Sequence, residues 1–324
     1  MRIAIIGAGA IGCLFTALFT EGGEDVILID RKAERARLIH ERGLKISGVS
    51  GERIIRVNIV TNPLLAEESD LIIIAVKSYD TDTAVNSILP IIHEKTAILT
   101  LQNGLGNVEK IVSKVGVKYV LAGVTTQAST LINYGEIYHA ARGLTIIGEL
   151  NGIITERVRN IVNKFNQSDI EAKASSNIYG AIWEKVLVNI GINALSAITG
   201  MRNGELLNIP EIKEIMIEAV KEGLRVAKAI GVKLENDDPV RVMLNVAEIT
   251  RLNKSSMLQD IERGSKTEID SLNGAIVKLG SIYGIPTPIN KALTDMVKGL
   301  EKGVKFDKQE LLNSLIKIAS IINR

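Results

Sequence analysis

The segment Gly7-Ala8-Gly9-Ala10-Ile11-Gly12 follows the apolar run Arg2-Ile3-Ala4-Ile5-Ile6 directly, and from Ile11 to Phe19 apolar residues recur at helical spacing. A strand, a glycine turn and a helix in that order open a βαβ unit of the kind that binds a dinucleotide. The chemistry accounts for the spacing. A pyrophosphate must approach the backbone closely at a helix N-terminus, where N–H groups and the helix dipole favour an anion. Gly7 permits the tight turn, Gly9 the close approach and Gly12 the seating of helix on strand, while Ala10 and Ile11 complete the loop. A second strand, Val26 to Ile29, ends in Asp30-Arg31, and Asp30 lies 18 positions after Gly12, which is the context that separates this motif from a tight turn without a nucleotide.

Asp30 and Arg31 pull in opposite directions. A carboxylate at the end of the second strand accepts hydrogen bonds from the ribose 2′-hydroxyl of NAD, whereas an arginine there pairs with the 2′-phosphate of NADP. Arg31 could also be a surface charge flanking a helix. The glycine loop points to a dinucleotide, and the pair Asp30-Arg31 leaves both NADP(H) and NAD(H) open.

Beyond a charged helix at about 32–41, residues 44–60 alternate loosely and carry Gly48 and Gly51, which reads as a hairpin-like excursion. The run Asp70-Leu-Ile-Ile-Ile-Ala-Val76 is a buried strand, 81–92 a helix and Ala97 to Leu101 another strand. Further strand signals stand near 117–128, 136–140, 144–149 and 169–173, with a helix near 153–166. Alternation of this kind predicts an α/β Rossmann domain, a doubly wound and mainly parallel sheet covered on both faces, over residues 1–173. From 174 to 324 the period becomes helical, predicting an all-α domain with helices near 177–199, 210–230, 238–250, 256–263, 268–283, 288–301 and 308–322.

Composition bounds the function. With 39 basic and 37 acidic residues and no basic run interleaved with aromatics, nothing supports a nucleic-acid groove. The single cysteine, Cys13, cannot form an internal disulfide and reads as a small buried residue, and His40, His93 and His139 lie too far apart in sequence for a metal motif. No signal peptide is expected, nor an apolar run near the roughly 20 residues that span a bilayer, so a cytoplasmic protein without a membrane partner is expected. Apolar periodicity in the helical part leaves surface for a homodimer, although the same residues could all be internal core.

Ligands of open parallel sheets bind outside the carboxyl ends of the strands, which puts Lys77 of Val76-Lys77-Ser78 and Asn103 of Gln102-Asn103-Gly104 beside the nicotinamide half. In the helical part, Lys185, Asn189 and Asn193 recur every four positions, within about an 80° arc of one helical face. Asparagine is a poor helix-interior residue and a buried ammonium is costly, so this face is a candidate site rather than plain core. The bland alternative is a polar outer face. A second polar cluster holds Ser256, with Gln259 as a capping-box partner, and Glu268 in the first turn of a helix beginning near 268.

With these blocks the chain resembles the ketopantoate reductases (2-dehydropantoate 2-reductases) of the 6-phosphogluconate-dehydrogenase-like group. The resemblance runs through GAGAIG at 7–12, Arg31, VKS at 76–78, QNG at 102–104, WEKVLVNIGIN at 183–193, SSMLQDIERGSKTEIDSLNG at 255–274 and GIPTP at 284–288. Asp30 beside Arg31 departs from the family pattern. The resemblance implies NADP(H)-dependent reduction of the 2-keto group of ketopantoate to (R)-pantoate, on the route to pantothenate and coenzyme A. It further implies Lys185 as general acid, Glu268 as the residue that holds lysine, substrate and cofactor in place, and Ser256, Asn189, Asn193 and Asn103 as substrate contacts. Asn103 and Lys77 are placed at the nicotinamide. Chemistry agrees independently: a hydride arriving at a carbonyl carbon develops an alkoxide, and a cationic donor aimed at that oxygen stabilises charge and delivers the proton. No metal is required. The alternatives are another 2-keto acid or opine-type reductase on the same scaffold, or a dinucleotide-binding sensor without catalysis, which would need neither Lys185 nor Glu268.

Overall fold

The computed structural model describes residues 1–66, 68–304, 313–314 and 316–317. They form two compact units: residues 1–102 with 107–178, and residues 103–106 with the described residues from 179 onward.

The first unit is built on β1 (Arg2–Ile6), α1 (Ala10–Glu21), β2 (Asp25–Ile29), α2 (Ala33–Arg42), β3 (Leu44–Gly48), β4 (Arg53–Ile55), β5 (Asn58–Val60), β6 (Leu71–Ile74), α3 (Thr81–Ile88), β7 (Ala97–Thr100), α4 (Asn107–Val115), β8 (Val120–Thr125), β9 (Ala128–Asn133), β10 (Glu136–Ala141), β11 (Thr145–Glu149), α5 (Glu156–Gln167) and β12 (Ala172–Ala174). Eight strands form one sheet in the order β12-β11-β8-β7-β6-β1-β2-β5. Only the β8–β11 pairing is antiparallel, so the sheet is doubly wound and mainly parallel, with β1 between β6 and β2. Continuous burial of Ile3 to Ile6, Leu71 to Ile74 and Ala97 to Thr100 follows, because helices cover both faces of such a sheet. Helix α1 sits on one face through Leu14, Phe15, Leu18 and Phe19, the stripe its helical period provides. Three of the chain's four phenylalanines, Phe15, Phe19 and Phe165, meet edge to face with centroids 4.8–6.3 Å apart and tie α1 to α5.

The hairpin-like excursion is corrected in its partners. β3 and β4 do pair antiparallel, but β5 joins the main sheet beside β2, and β3 pairs parallel with β10 in a second sheet ordered β4-β3-β10-β9. The stretch 117–128 is likewise not one strand: a 3₁₀ turn at Val117–Tyr119 precedes β8, and β9 starts at Ala128.

The second unit contains α6 (Ile178–Thr199, whose first residue belongs to the first unit), α7 (Asn203–Leu206), α8 (Pro210–Ala229), α9 (Pro239–Ile249), α10 (Ser256–Glu262), α11 (Asn273–Tyr283) and α12 (Pro288–Glu301). The helix expected over 308–322 lies outside the described residues, apart from four that are helical. Helix α6 is the core helix. By length and composition it could cross a membrane, which corrects the expectation that no segment would pass that test, yet 72% of its apolar window is buried within the protein. Its Leu187 and Ile190 lie against Gly223 of α8, where an added Cβ would come within 2.6–2.7 Å of both side chains. Polar stitches complete the unit. The amide of Asn273 donates to Ile190 O (3.1 Å) and Asn290 Oδ1 (3.0 Å), and the fully buried Glu222 caps α12 by accepting from Ile289 N and Asn290 N (both 2.9 Å).

Candidate active site

In the first unit, four parallel strands end level with one another, since Ile6 is paired with both Ile29 and Ile74, and Ile74 with Thr100. The segments that follow them carry the glycine loop, Asp30-Arg31, Lys77 and Gln102 along one edge of the sheet, at the strand ends where ligands of such sheets bind. Gly7 N donates to Ile29 O (2.9 Å), pinning the loop to β2. A Cβ on Gly12 would lie 1.9 Å from Gly7 O, so no larger residue fits where helix meets turn.

The loop fits a pyrophosphate on its own geometry. Gly9 is the N-cap of α1, offers no side-chain cap, and a Cβ built on it would meet nothing within 4 Å; the first turn also carries no acidic residue. Backbone N–H groups at an uncapped helix N-terminus facing open space suit an anion. Cys13, one turn on, is fully buried, and burial pushes its thiol up to about 12, which makes it an inert core residue.

Asp30 and Arg31 differ sharply in surroundings. Asp30 is 2% exposed; it accepts from Ala8 N (3.0 Å) and Lys32 N (2.7 Å) and is ion-paired with Arg35. Arg31 projects outward, its side chain 63% exposed, and donates to Asp80 Oδ2 at 3.0 Å. Lys77 is half-buried, and its carbonyl accepts from Asp80 N (2.8 Å) in the 3₁₀ turn Ser78–Asp80. The Gln102 amide donates to Val76 O (2.9 Å) and Thr81 Oγ1 (2.8 Å), and Thr81 donates to Asn107 Oδ1 (2.9 Å), so the ends of β6 and β7 are locked together. Nothing in the sequence marks Gln102, Asp80, Thr81, Asn107 or Arg35 for these tasks, because their partners are brought by the sheet register rather than by local period.

Asn103, Lys185, Asn189, Asn193, Ser256 and Glu268 all belong to the second unit. Asn103 begins a short segment held to the 268–271 turn: its amide donates to Glu268 Oε2 (3.4 Å) and Leu105 N to Ser271 O (2.8 Å). Gly104 has φ +86°, and a Cβ there would stand 2.4 Å from Ser271 O, so this approach needs glycine. Lys185, Asn189 and Asn193 lie along α6, the first two half-buried and the third buried. Burial pulls the Lys185 ammonium down from 10.5 to about 8, while the Glu268 carboxylate pulls it back up. Desolvation wins that contest. Glu268 itself is 6% exposed.

Two local readings are corrected. Ser255, not Ser256, caps α10, accepting from Leu258 N (3.1 Å) and donating to Asn193 O (3.4 Å), which leaves Ser256 exposed as the first helical residue. Gln259 does not close a capping box; its amide donates to Lys254 O (3.1 Å). Glu268 precedes a 3₁₀ turn, Ile269–Ser271, and α11 begins only at Asn273, because Thr267 bonds to Glu301 and to Ile269 N rather than starting a helix. Among the described residues, no group of His, Cys, Asp and Glu side chains stands close enough to hold a metal ion.

Comparison with known proteins follows the same division. A family model described as ketopantoate reductase PanE/ApbA matches residues 3–152, and its C-terminal counterpart matches 177–301. The 2-dehydropantoate 2-reductase of Archaeoglobus fulgidus is 36% identical over 303 residues, covering 94% of this chain and 99% of the relative. Among solved structures, a PanE/ApbA family ketopantoate reductase from Ralstonia eutropha JMP134 aligns with a TM-score of 0.87 at 33% identity, over 94% of this chain and 99% of that one. A D-mandelate dehydrogenase in ternary complex with NADH and anilino(oxo)acetate aligns with a TM-score of 0.89 at 29% identity, with the same coverage of both chains.

Proposed function

The chain belongs to the ketopantoate reductase family, and from that premise we propose that it reduces the 2-keto group of ketopantoate to (R)-pantoate with NADPH as the reductant. The observation that carries the reading is Lys185, a lysine whose ammonium burial has brought to about 8 beside the buried carboxylate of Glu268. The dinucleotide, when bound, supplies the hydride. What remains is the work of this chain's own groups.

Hydride addition to the carbonyl carbon leaves an alkoxide that must be neutralised. Lys185 Nζ donates the proton, and its positive charge stabilises the oxyanion before transfer is complete. A lysine near 8 is still mostly protonated at neutral pH and is a better acid than one at 10.5. Glu268 keeps the ammonium charged and takes the Asn103 amide as its other partner. Asn189, Asn193 and Ser256 hold the carboxylate and hydroxyl of the substrate. Residues 1–173 bind the dinucleotide through Gly7, Gly9, Ala10, Ile11 and Gly12, with Lys77 and Asn103 at the nicotinamide, and 174–324 carry the substrate contacts and a dimer interface. Arg31, exposed at the end of β2, meets the 2′-phosphate, which favours NADPH. The protein is taken as a cytoplasmic homodimer with no nucleic-acid or membrane partner, which light scattering behind a sizing column and cell fractionation test.

Steady-state rates for ketopantoate, pyruvate and 2-ketoisovalerate, each with NADPH and NADH, test the assignment; no preference for ketopantoate would remove it. The likeness to a D-mandelate dehydrogenase with NADH supports a second reading, a related 2-keto acid reductase, for which an aromatic 2-keto acid would be turned over best and with NADH.

A further inference from the structure

We infer that Asp30 is a positioning residue that clasps the glycine loop for either dinucleotide and does not read the ribose 2′-hydroxyl. The inference rests on the reading of the loop as a nicotinamide dinucleotide site. By position alone, an acidic residue at the end of β2 is the usual partner of that hydroxyl. Its surroundings here say otherwise.

Oδ2 of Asp30 accepts from Ala8 N at 3.0 Å and also takes Arg35 Nη2, and Oδ1 accepts from Lys32 N at 2.7 Å. Both oxygens are thus held by charge-assisted bonds, and the side chain is 1% exposed. A ribose hydroxyl would have to reach a carboxylate closed off from the surface, at an oxygen already engaged by a donor. The three donors come from three places: Ala8 from the glycine loop, Lys32 from the N-cap of α2, and Arg35 from within α2. With Gly7 N on Ile29 O (2.9 Å) and Asp30 N on Val60 O (3.0 Å), the carboxylate is the stitch that fixes loop, strand end and helix together.

Arg35 is committed to the same task. Its guanidinium lies 5.7 Å from the centroid of the Tyr134 ring, its side chain is 16% exposed, and its buried Nε has no hydrogen-bond partner. A guanidinium that leaves one donor unmet is placed by its strongest partner, which is Asp30. Discrimination between the two dinucleotides therefore passes to Arg31, whose exposed guanidinium is within reach of a ligand and is steered by Asp80.

The test compares Asp30→Asn and Arg35→Met with the unaltered full chain, by fluorescence titration for the Kd of NADPH and of NADH, steady-state KM and kcat, and melting followed by circular dichroism. A clasp loosens both complexes alike: each Kd rises roughly tenfold, the order of one charge-assisted hydrogen bond, while the NADPH-to-NADH ratio stays within about twofold of wild type. The loss falls on KM for both dinucleotides rather than on kcat. A loss confined to NADH in Asp30→Asn shows that Asp30 reads the ribose and overturns the inference, as does a loss confined to NADPH in Arg35→Met, or two unchanged Kd values in either. If Asp30→Asn fails to fold, Arg35→Met alone decides, since Arg35 reaches the surface. Failure of the unaltered chain to bind either dinucleotide sinks the loop reading itself, a separate result.

Discussion

Replacing Glu268 by glutamine keeps the shape of the side chain and deletes its charge, and the pH dependence of reduction then reports on Lys185. In the intact site Lys185 stands near 8 because burial pulls it down and Glu268 pulls it up. Nearby opposite charges shift a pKa by about 1–3 units, so the loss of a single unit on removing Glu268 would take Lys185 to about 7. The sign follows from the role. A general acid works only while protonated, so kcat/KM falls as pH rises through the lysine pKa, and Glu268→Gln moves that fall toward lower pH. At pH 7.5 a lysine near 8 is about three-quarters protonated and one near 7 about one-quarter, a roughly threefold loss from protonation alone. Rates measured from pH 5.5 to 9.5 at saturating NADPH separate this from a simple binding defect. The protonation share of the loss is regained near pH 6, whereas a binding defect lowers the whole curve without moving it. An alkaline limb that stays put, or moves upward, refutes the assignment of Lys185 as the acid tuned by Glu268.

Lys185→Ala should lower kcat by about 10²–10⁴ while the Kd for NADPH, measured by fluorescence, stays nearly constant, because the proposed proton donor and the glycine loop belong to different units. Arg31→Ala should weaken NADPH by roughly tenfold or more and leave NADH unaffected, read from paired titrations. Cys13, buried with its thiol near 12, should resist thiol reagents in the native protein and react fully only in denaturant, as mass spectrometry would record. Glu222→Ala strands the N–H groups of Ile289 and Asn290 at the start of α12 and should cost about 3 kcal/mol or more, visible as a lower urea midpoint.

What was legible in the sequence is what local period and motif can encode. The bounds 2–6 for the first strand coincide with β1, since an all-apolar run next to a glycine turn has one reading in a parallel sheet. The face of Lys185, Asn189 and Asn193 was legible for a similar reason: three polar residues at every fourth position in an apolar helix are conspicuous. Sheet partners were not. β3 looks like half of a local hairpin, yet it also pairs with β10, about ninety residues on, and β5 leaves its neighbours to join β2. Helix α4 escaped notice because Gly104 and Gly106 crowd its start and it is only 9 residues long. Ser256 is the cap candidate in the sequence, yet the cap falls to its neighbour Ser255, whose hydroxyl accepts from Leu258 N and donates to Asn193 O of α6.

Lys185 and Asp30 show why such sites resist reading from sequence even when every residue is named. Each is a charged group whose role is decided by a balance. For Lys185 the terms are burial and one carboxylate, which oppose each other; either alone would give a poor acid at neutral pH, the first by stripping the proton and the second by holding it too tightly. For Asp30 the terms are the hydrogen-bond donors around a buried carboxylate. Those donors are two backbone amides and an arginine from the next helix, none of which differs in sequence from residues with no such task. With those donors turned away, the same aspartate would be free to accept from a ribose hydroxyl, the contact that favours NADH. On the inference drawn above, a carboxylate satisfied internally, Asp30, and an arginine left to face outward, Arg31, would together set the choice of dinucleotide.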